Sequence, residues 1–286
     1  MTELVLSPLS LQLIDLALQE DLGAGDVSTA AIFSSKDHSR ARLLAKEDLV
    51  LAGAPVFDRV MRRVAELVGL SAPHLEFHCA EGSAVKTGTT LASMHGPTSV
   101  LLRGERVALN FLQHLSGVAT ATHRLATLLG PGIRLVDTRK TLPGMREMQR
   151  YAVRMGGGFN HRFNLGAGVM IKDNHIHAAG SIAAAVAKVR LASPHTLRVE
   201  VEVQNLAEVE QALQAGADII MLDNMDVETM RQALTLIDHR ACVEVSGNVN
   251  LATAPALRDL AVDVVSCGAL THSVKGADIS LRFDGC

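Results

Sequence analysis

The stretch that decides the fold lies between residues 197 and 224 and reads LRVEVEVQNLAEVEQALQAGADIIMLDN. It begins and ends with short runs rich in β-branched residues, at 197–203 and 219–222. Between them, residues 205–214 carry apolar side chains at helical spacing, and Gly216 ends that pattern. A strand, a helix and a strand at this spacing predict two parallel strands joined by a helical crossover.

The same alternation extends over the second half of the chain. Six strand-like runs follow one another, at residues 133–136, 169–171, 197–203, 219–222, 242–245 and 262–265. Helix patterns fill the intervals between them. Because six units are fewer than the eight of a complete barrel, we expect an α/β fold with an incomplete barrel or an open parallel sheet.

The first half has a different pattern, which predicts an α+β layer of about 100 residues. Helix patterns begin at Ser7-Pro8, where Ser7 is a suitable N-cap, and again at residue 54. Strand patterns cover residues 42–46, 75–79 and 90–94. A longer helix pattern begins near residue 99, and we expect Ser116-Gly117 to interrupt it.

Composition and charge exclude several classes of protein. The 286 residues are 48% hydrophobic and 20% charged, which supplies a large core and excludes disorder. Lys and Arg number 27 against 30 Asp and Glu, so no basic field favours nucleic acid or an anionic membrane. No apolar run approaches about 18 residues, so we expect no membrane span.

The first basic residue is Lys36, which argues against a secretory signal or a transit peptide. The four cysteines, Cys79, Cys242, Cys267 and Cys286, show no CxxC spacing. We therefore expect reduced thiols and a cytoplasmic protein.

Polar residues collect where the predicted parallel strands end. The six groups are Asp137-Thr138-Arg139-Lys140, Lys172-Asp173-Asn174-His175, Glu200 with Glu202, Asp223-Asn224, Ser246-Gly247-Asn248 and Ser266-Cys267-Gly268. In parallel α/β folds the carboxyl ends of the strands form the rim of the active site. The sequence therefore predicts one site at this edge of the sheet.

Positive charge is concentrated between residues 131 and 172, where eight Lys and Arg residues are opposed by Asp137 and Glu147. Some of them form a solvated helix face, but Arg139, Lys140, Arg162 and Lys172 lie at strand ends or in a Gly-rich loop. Such a cluster suits a di-anionic or polyphosphate ligand. Glu202 and Asp223, from the following strands, suit hydroxyl groups or a divalent metal.

Several common catalytic motifs are missing from the sequence. It contains no P-loop, no GxSxG elbow and no HExxH motif. The run Gly156-Gly157-Gly158 lacks the spacing of a dinucleotide-binding loop and follows a helix pattern. No nucleophile with its base is recognisable.

Taken together, the motifs resemble those of one enzyme family. In chain order they are Glu20-Asp21-Leu22-Gly23 with Gly25-Asp26, Leu109-Asn110-Phe111, His114-Leu115-Ser116-Gly117, Asp137-Thr138-Arg139-Lys140-Thr141 with Pro143-Gly144, Gly156-Gly157-Gly158 with His161-Arg162, Lys172-Asp173-Asn174-His175, Leu222-Asp223-Asn224, Ser246-Gly247-Asn248 and Gly268-Ala269-Leu270. From about residue 10 to residue 283, the chain resembles the quinolinate phosphoribosyltransferase family.

The resemblance implies a fold and an activity. The fold has an N-terminal open α/β domain over residues 1–115 and an incomplete α/β barrel of about six or seven strands over residues 116–269. A C-terminal strand within residues 270–286 returns to the first domain. The activity is the transfer of phosphoribosyl from phosphoribosyl pyrophosphate to quinolinate with loss of CO2, a step of de novo NAD biosynthesis. The implied cofactor is Mg2+, and the implied assembly is a homodimer with shared active sites, with a hexamer as the larger alternative.

The resemblance also implies roles for particular residues. The positions that correspond to quinolinate binding are Arg106, Arg139, His161, Arg162 and Lys172. Those around the phosphoribosyl group are Lys140, Glu202, Asp223, Ser246, Gly247, Asn248 and Gly268. Further expected substrate-binding residues are Thr138, Ser266 and Cys267. Of these, Lys140, Lys172, Glu202 and Asp223 are the expected catalytic residues, and Mg2+ is expected near Glu202 and Asp223. Cys267 departs from the small aliphatic residue usual in the family, but it is small and apolar enough to replace it.

Three alternatives remain on sequence alone. One is the molybdenum-operon paralogue of the same fold, although the complete segment 172–175 argues against it. Another is an aldolase that forms a Schiff base on Lys172. The third is an inactive ligand sensor on the same fold, which would bind without turnover.

Overall fold

The computed structural model describes residues 4–260 and 262–284 of the chain. They form two compact units. The first combines the chain up to His123 with Thr141–Gly157 and the segment from Thr271 onward, and the second combines Arg124–Lys140 with Gly158–Leu270. The domain limits implied by the resemblance, at residues 115 and 269, stay a prediction.

The first unit is built on an antiparallel sheet. Its elements are α1 (Pro8–Leu22), α2 (Val27–Ile32), β1 (His38–Ala45), β2 (Leu49–Val50), α3 (Ala54–Val68), β3 (His74–Phe77), β4 (Ala84–Val85), β5 (Thr90–Pro97), most of α4 (Thr98–Leu129), α5 (Arg146–Met155) and β12 (Ile279–Phe283). The main sheet has the order β12-β1-β5-β3, and β2 pairs with β4. The last strand of the chain therefore pairs with the first, in a register that places Leu43 opposite Leu281.

The second unit contains the parallel strands. Its elements are β6 (Arg134–Val136), β7 (Val169–Ile171), α6 (Asp173–Ala179), α7 (Ile182–Ala192), β8 (Val199–Val203), α8 (Leu206–Gln214), β9 (Ile219–Asp223), α9 (Val227–Ile237), β10 (Cys242–Ser246), α10 (Ala254–Arg258) and β11 (Val264–Ser266), followed by α11 (Ala269–His272). The six-stranded sheet has the order β6-β11-β10-β9-β8-β7, and every neighbouring pair is parallel. The prediction of an α/β fold with fewer than eight parallel strands is confirmed.

The helices of the second unit begin at residues that sequence reasoning favours as N-caps. The side chains of Ser181, Asn205 and Asp226 each accept a hydrogen bond from the backbone N–H three residues further on. These bonds satisfy donors that the first turn of a helix leaves open. In the first unit, Ser7 caps α1 in the same way, as predicted.

The predicted interruption of the long helix at Ser116-Gly117 is wrong. Helix α4 continues without a break from Thr98 to Leu129. The Ser116 hydroxyl donates to the carbonyl of Ala52 and accepts from its N–H, both at 3.1 Å. A Cβ at residue 117 would lie 2.3 Å from the carbonyl oxygen of Lys275. The two small residues therefore allow close packing of backbone against the helix, and tertiary contacts outweigh the low helix propensity of glycine.

None of the helices in the described part of the chain is both long and apolar enough to span a bilayer. Cys79, Cys242 and Cys267 are free thiols. Cys286 lies outside the described residues.

Candidate active site

The parallel sheet presents two different faces, because paired residues of neighbouring strands point to the same side. One face carries buried aliphatic side chains such as Val201, Ile220 and Val245. The pairing register places polar residues and methionines on the other face: Met170 is opposite Glu200, Met221 is opposite Glu202 and Glu244, and Ser246 is opposite Asp223 and Ser266. Alternation along each strand therefore brings side chains of five strands to one surface.

A cavity of about 180 Å³ lies on this polar face, at the carboxyl ends of the strands. Its lining residues are Thr138, Arg139, Lys140, His161, Arg162, Met170, Lys172, Met221, Glu244, Ser246 and Ser266. Eight of the predicted site residues are among them. The cavity lies where the sequence predicts a site, and four of its lining residues are Lys or Arg.

The segment that carries His161 and Arg162 is fixed to the end of β6. Phe159 forms a parallel bridge with Val136. The fully buried carboxylate of Asp137 then accepts hydrogen bonds from the His161 N–H at 2.9 Å and from Asn160 Nδ2 at 2.5 Å. A buried carboxylate with these partners holds the loop at the cavity.

Two buried carboxylates flank His161 at the floor of the cavity. Its Nε2 lies 3.5 Å from an oxygen of Glu200 and 3.5 Å from an oxygen of Glu244. Burial alone would lower the pKa of His161, but the hydrogen bonds and charges of the two carboxylates outweigh it and raise that pKa to about 10. Burial and the nearby charge of Glu244 raise the pKa of Glu200. The positive charge of His161 at the floor of the cavity is therefore paired with neighbouring carboxylates.

Arg162 is a half-buried cation of the cavity. Its guanidinium donates to the carbonyl of Gly168 at 2.9 Å, which fixes its direction. Burial, and then the positive charge of Arg139, lower the pKa of Arg162 from its ordinary value. Two guanidiniums that line one cavity make a site that an anion stabilises.

Lys172 and Glu202 form an ion pair at the ends of β7 and β8, through Nζ and Oε2. The Lys172 N–H donates to Nδ1 of His175 at 3.0 Å, so that His175 caps helix α6. Next to the pair in the sheet, an oxygen of Asp223 accepts from Asn224 Nδ2 at 3.0 Å. Carboxylates therefore terminate two adjacent strands.

Two groups of residues have donors that suit a divalent cation. Glu202 and Asp223 supply carboxylate oxygens of the kind that Mg2+ prefers. The donor atoms of His161, Glu200 and Glu244 lie within 4.8 Å of one another and would bracket a cation geometrically. Because four Lys and Arg side chains line the same cavity, we describe this second group as an ion-paired cluster and not as a metal site.

The remaining predicted residues lie outside the lining. Glu202 and Asp223 lie at the carboxyl ends of β8 and β9, and Gly247, Asn248 and Gly268 lie in the loops after β10 and β11. Cys267 is buried and its thiol contacts the carbonyl of Val249 at 3.4 Å. Arg106 is exposed on α4, in the first unit. The functional roles of all these residues stay predictions.

Three lining residues were not predicted from the sequence, namely Glu244, Met170 and Met221, and Glu200 had no predicted role. Glu200 and Glu244 are each 3% exposed, and one oxygen of each has no hydrogen-bond partner among the described residues. The available signal was an acidic residue in the middle of an apolar strand, as in Val243-Glu244-Val245. A buried strand carries such a residue at a cost, so its presence points to a function.

Two sequence families match the chain. Residues 118–282 match the quinolinate phosphoribosyl transferase C-terminal domain, and residues 26–116 match the N-terminal domain of the same name. A protein of Bacillus subtilis named probable nicotinate-nucleotide pyrophosphorylase (carboxylating) is 41% identical over 92% of this chain and 89% of its own length. The human protein of the name nicotinate-nucleotide pyrophosphorylase (carboxylating) is 38% identical over 98% of this chain and 94% of its own.

Among solved structures, NadC from Streptococcus pyogenes is similar, with a TM-score of 0.91 and 44% identity over 98% of both chains. Sequence families, relatives and structure agree with one another and with the architecture described above. On this evidence, the chain belongs to the quinolinate phosphoribosyltransferase family.

Proposed function

We propose that this chain transfers the phosphoribosyl group of phosphoribosyl pyrophosphate to the ring nitrogen of quinolinate, with release of pyrophosphate and CO2. The product is nicotinate mononucleotide, an intermediate of NAD biosynthesis. The names of the relatives support the reaction class. The cavity supports the choice of substrates, because it combines cations for two carboxylates with residues suited to a sugar phosphate.

The observation that carries the proposal is the pair of guanidiniums. Arg139 and Arg162 line one cavity, and the charge of the first lowers the pKa of the second. Planar guanidiniums bind carboxylates through two parallel hydrogen bonds. Quinolinate carries two carboxylates on adjacent ring carbons, so each can be assigned to one arginine.

The chemistry explains why no nucleophile and base pair is present. The pyridine nitrogen of quinolinate already has a free lone pair, so the protein need not remove a proton to create the nucleophile. What it must do is bring this nitrogen to C1 of the sugar. The arginines hold the ring by its carboxylates and leave the nitrogen facing the phosphoribosyl side.

Two carboxylates are placed to stabilise the positive charge that develops on the ribose. When the bond from C1 to pyrophosphate breaks, the ribose passes through an oxocarbenium-like state. Glu202 and Asp223 end adjacent strands on the polar face and stabilise that charge electrostatically, or hold the ribose hydroxyls. Their oxygens also fit Mg2+ carried by phosphoribosyl pyrophosphate, and the bound ion supplies charge that neutralises the leaving group. Lys140 adds positive charge on the pyrophosphate side.

The decarboxylation step requires no acid or base from the protein for cleavage of the bond to CO2. Loss of the 2-carboxylate as CO2 leaves an electron pair at C2, next to the new pyridinium nitrogen, which acts as the electron sink. A proton then takes the place of CO2. The protein holds the ring in place, through Arg139, Arg162 and His161, while the bond breaks.

The assembly and location complete the proposal. Arg106 is exposed on a helix of the first unit, where a second copy of the chain could receive it. We infer a homodimer in which each subunit lends Arg106 to the quinolinate pocket of its partner. The free thiols are consistent with a cytoplasmic location.

The proposal is tested by turnover and by specificity. Incubation with quinolinate, phosphoribosyl pyrophosphate and MgCl2 should yield nicotinate mononucleotide and CO2, and borohydride should trap no adduct on Lys172. Nicotinate should be a poor substrate, because one missing carboxylate leaves a guanidinium without its partner in the bound complex, which costs about 2–5 kcal/mol. Comparable kcat/KM values for the two acids, or binding without turnover, would contradict the proposal.

A further inference from the structure

The loops after β9 and β10 share an unusual backbone conformation. Asn224 follows β9 with φ of 54°, while Gly247 and Asn248 follow β10 with φ of 93° and 52°. Side chains other than glycine rarely adopt this left-handed region, and asparagine tolerates it best. Two neighbouring loops at the site therefore turn away from their strands in the same way.

The amide of Asn224 connects these loops. Its Nδ2 donates to Oδ2 of Asp223 at 3.0 Å, and its Oδ1 accepts from Nδ2 of Asn248 at 3.3 Å. The backbone N–H of Asn224 donates to the carbonyl of Ser246 at 2.9 Å. One exposed residue thus binds a carboxylate on its own strand and both ends of the loop on the next strand.

Gly247 packs directly against that amide. A Cβ at residue 247 would lie 2.1 Å from Oδ1 and 2.5 Å from Cγ of Asn224. No side chain fits there without displacing the amide. Glycine at 247 and asparagine at 224 are therefore matched, and buried Met225 and Val249 anchor the two loops just beyond them.

We propose that Asn224 is a positioning residue for phosphoribosyl pyrophosphate: it orients the Asp223 carboxylate and fixes the loop from Ser246 to Asn248. This inference rests on the proposed function, which assigns Asp223 and that loop to the phosphoribosyl group. The competing explanation is that residue 224 only has to accept a left-handed backbone. Glycine accepts that backbone at least as well as asparagine but lacks the amide.

Asn224→Gly separates the two explanations. If the amide positions the site, the variant should raise KM for phosphoribosyl pyrophosphate about tenfold, the usual effect of losing a hydrogen bond to a charged group. Its affinity for quinolinate, measured by calorimetry, should stay within about twofold of wild type, because Arg139 and Arg162 are untouched. Its melting temperature should stay close to that of wild type, since residue 224 is exposed and glycine accepts the left-handed backbone.

Asp238→Gly is the matched control. Asp238 is also an exposed residue with a positive φ, of 45°, but it ends α9 and precedes the amino end of β10. This variant should keep both KM values. The inference is overturned if Asn224→Gly keeps the wild-type KM for phosphoribosyl pyrophosphate, or if it weakens both substrates equally.

Calorimetric titration of wild type and Asn224→Gly with phosphoribosyl pyrophosphate and MgCl2 measures the affinity for this substrate directly, without turnover. A wild-type chain that binds this ligand but forms no nucleotide would contradict the proposed function alone. Equal affinities of the two chains would contradict the role of Asn224 alone. A wild-type chain that neither binds nor turns over would contradict both.

Discussion

At the scale of single residues, the shape of the cation decides what the cavity can bind. Arg139 and Arg162 face the same cavity as Lys140 and Lys172, so charge alone does not distinguish these four. A guanidinium offers two parallel donors in a plane, whereas an ammonium is a compact point charge. The planar donors match the carboxylates of the proposed substrate.

Arg139→Lys should therefore be severely impaired although the positive charge is kept. We expect kcat/KM for quinolinate to fall by roughly 100-fold, in line with the loss of a charge-assisted bond of up to about 3 kcal/mol. Steady-state kinetics with quinolinate as the varied substrate measure the effect. A loss of less than about threefold would show that charge, not geometry, is what the site requires.

The cluster of His161 with Glu200 and Glu244 should make stability depend on pH. Its two carboxylates raise the pKa of His161 from 6.5 to about 10, so the folded chain binds this proton more tightly than the unfolded chain. The contribution of protonated His161 to the free energy of unfolding is therefore complete below pH 6.5, and it is lost as the pH rises towards 10.

Glu244→Gln removes one of the two charges and should flatten this dependence. Between pH 6.5 and 10, the free energy of unfolding of wild type should fall by about 1–3 kcal/mol more than that of the variant. Urea denaturation at several pH values measures the difference. Glu210→Gln makes the same chemical change at an exposed site and should leave the wild-type slope unchanged. Parallel curves for all three chains would rule out the cluster as the cause.

At the scale of elements, helix α4 illustrates how a tertiary contact overrides local propensity. Gly117→Ala would improve helix propensity by about 1 kcal/mol, yet the added Cβ would meet the carbonyl of Lys275 at 2.3 Å. Overpacking of this kind typically costs 1–3 kcal/mol, about enough to outweigh the gain. We expect the variant to be less stable than wild type, by up to about 2 kcal/mol, in urea denaturation.

Gly104→Ala supplies the comparison within the same helix. Its added Cβ would meet the sulfur of Met61 at 2.6 Å, near the end of a flexible side chain that can move. This variant should be more stable than Gly117→Ala. If the two variants are equally destabilised, the backbone contact at Lys275 is not the reason for glycine at 117.

Local patterns predicted the elements well where side-chain periodicity determines them. The six parallel strands lie within two residues of their predicted starts, because alternation and β-branching persist over each run. Helix α2 was not predicted, since six residues are too few to show a helical period. The interruption at Ser116-Gly117 was wrong because the partners of these residues, Ala52 and Lys275, are distant in sequence.

The site residues at strand ends could be predicted from local sequence patterns, whereas those inside strands could not. Strand ends in a parallel sheet meet at one edge whatever the sequence between them, so Thr138, Arg139, Lys140, Lys172 and Ser246 were found together. Glu244 lies inside a strand, where register with Met221 and not sequence position brings it to the cavity. Register cannot be read from one strand alone.

At the scale of the whole molecule, the proposed homodimer is testable by mixing two inactive variants. Arg106→Ala and Arg139→Ala homodimers should each be nearly inactive. After complete subunit exchange of equal amounts, about half of the dimers are mixed, and each has one pocket with both arginines intact. Activity should therefore recover to about a quarter of wild type.

Mixing each variant with itself is the control and should restore nothing. If the exchanged mixture stays as inactive as its parents, Arg106 acts within its own chain. Analytical ultracentrifugation of each variant establishes that the dimers form, so that a failure to recover activity is interpretable.

The pairing of β12 with β1 has a consequence for biosynthesis. On the ribosome, β1 is translated long before β12, the strand that covers its second edge. At about 5–20 residues per second, the nascent chain waits roughly 10–50 s for that partner. Throughout this interval β1 offers unpaired N–H and C=O groups, which are a template for association between chains. The sheet of the first unit is therefore completed only once β12 has emerged, and a holdase chaperone that shields β1 until then would raise the yield of folded protein.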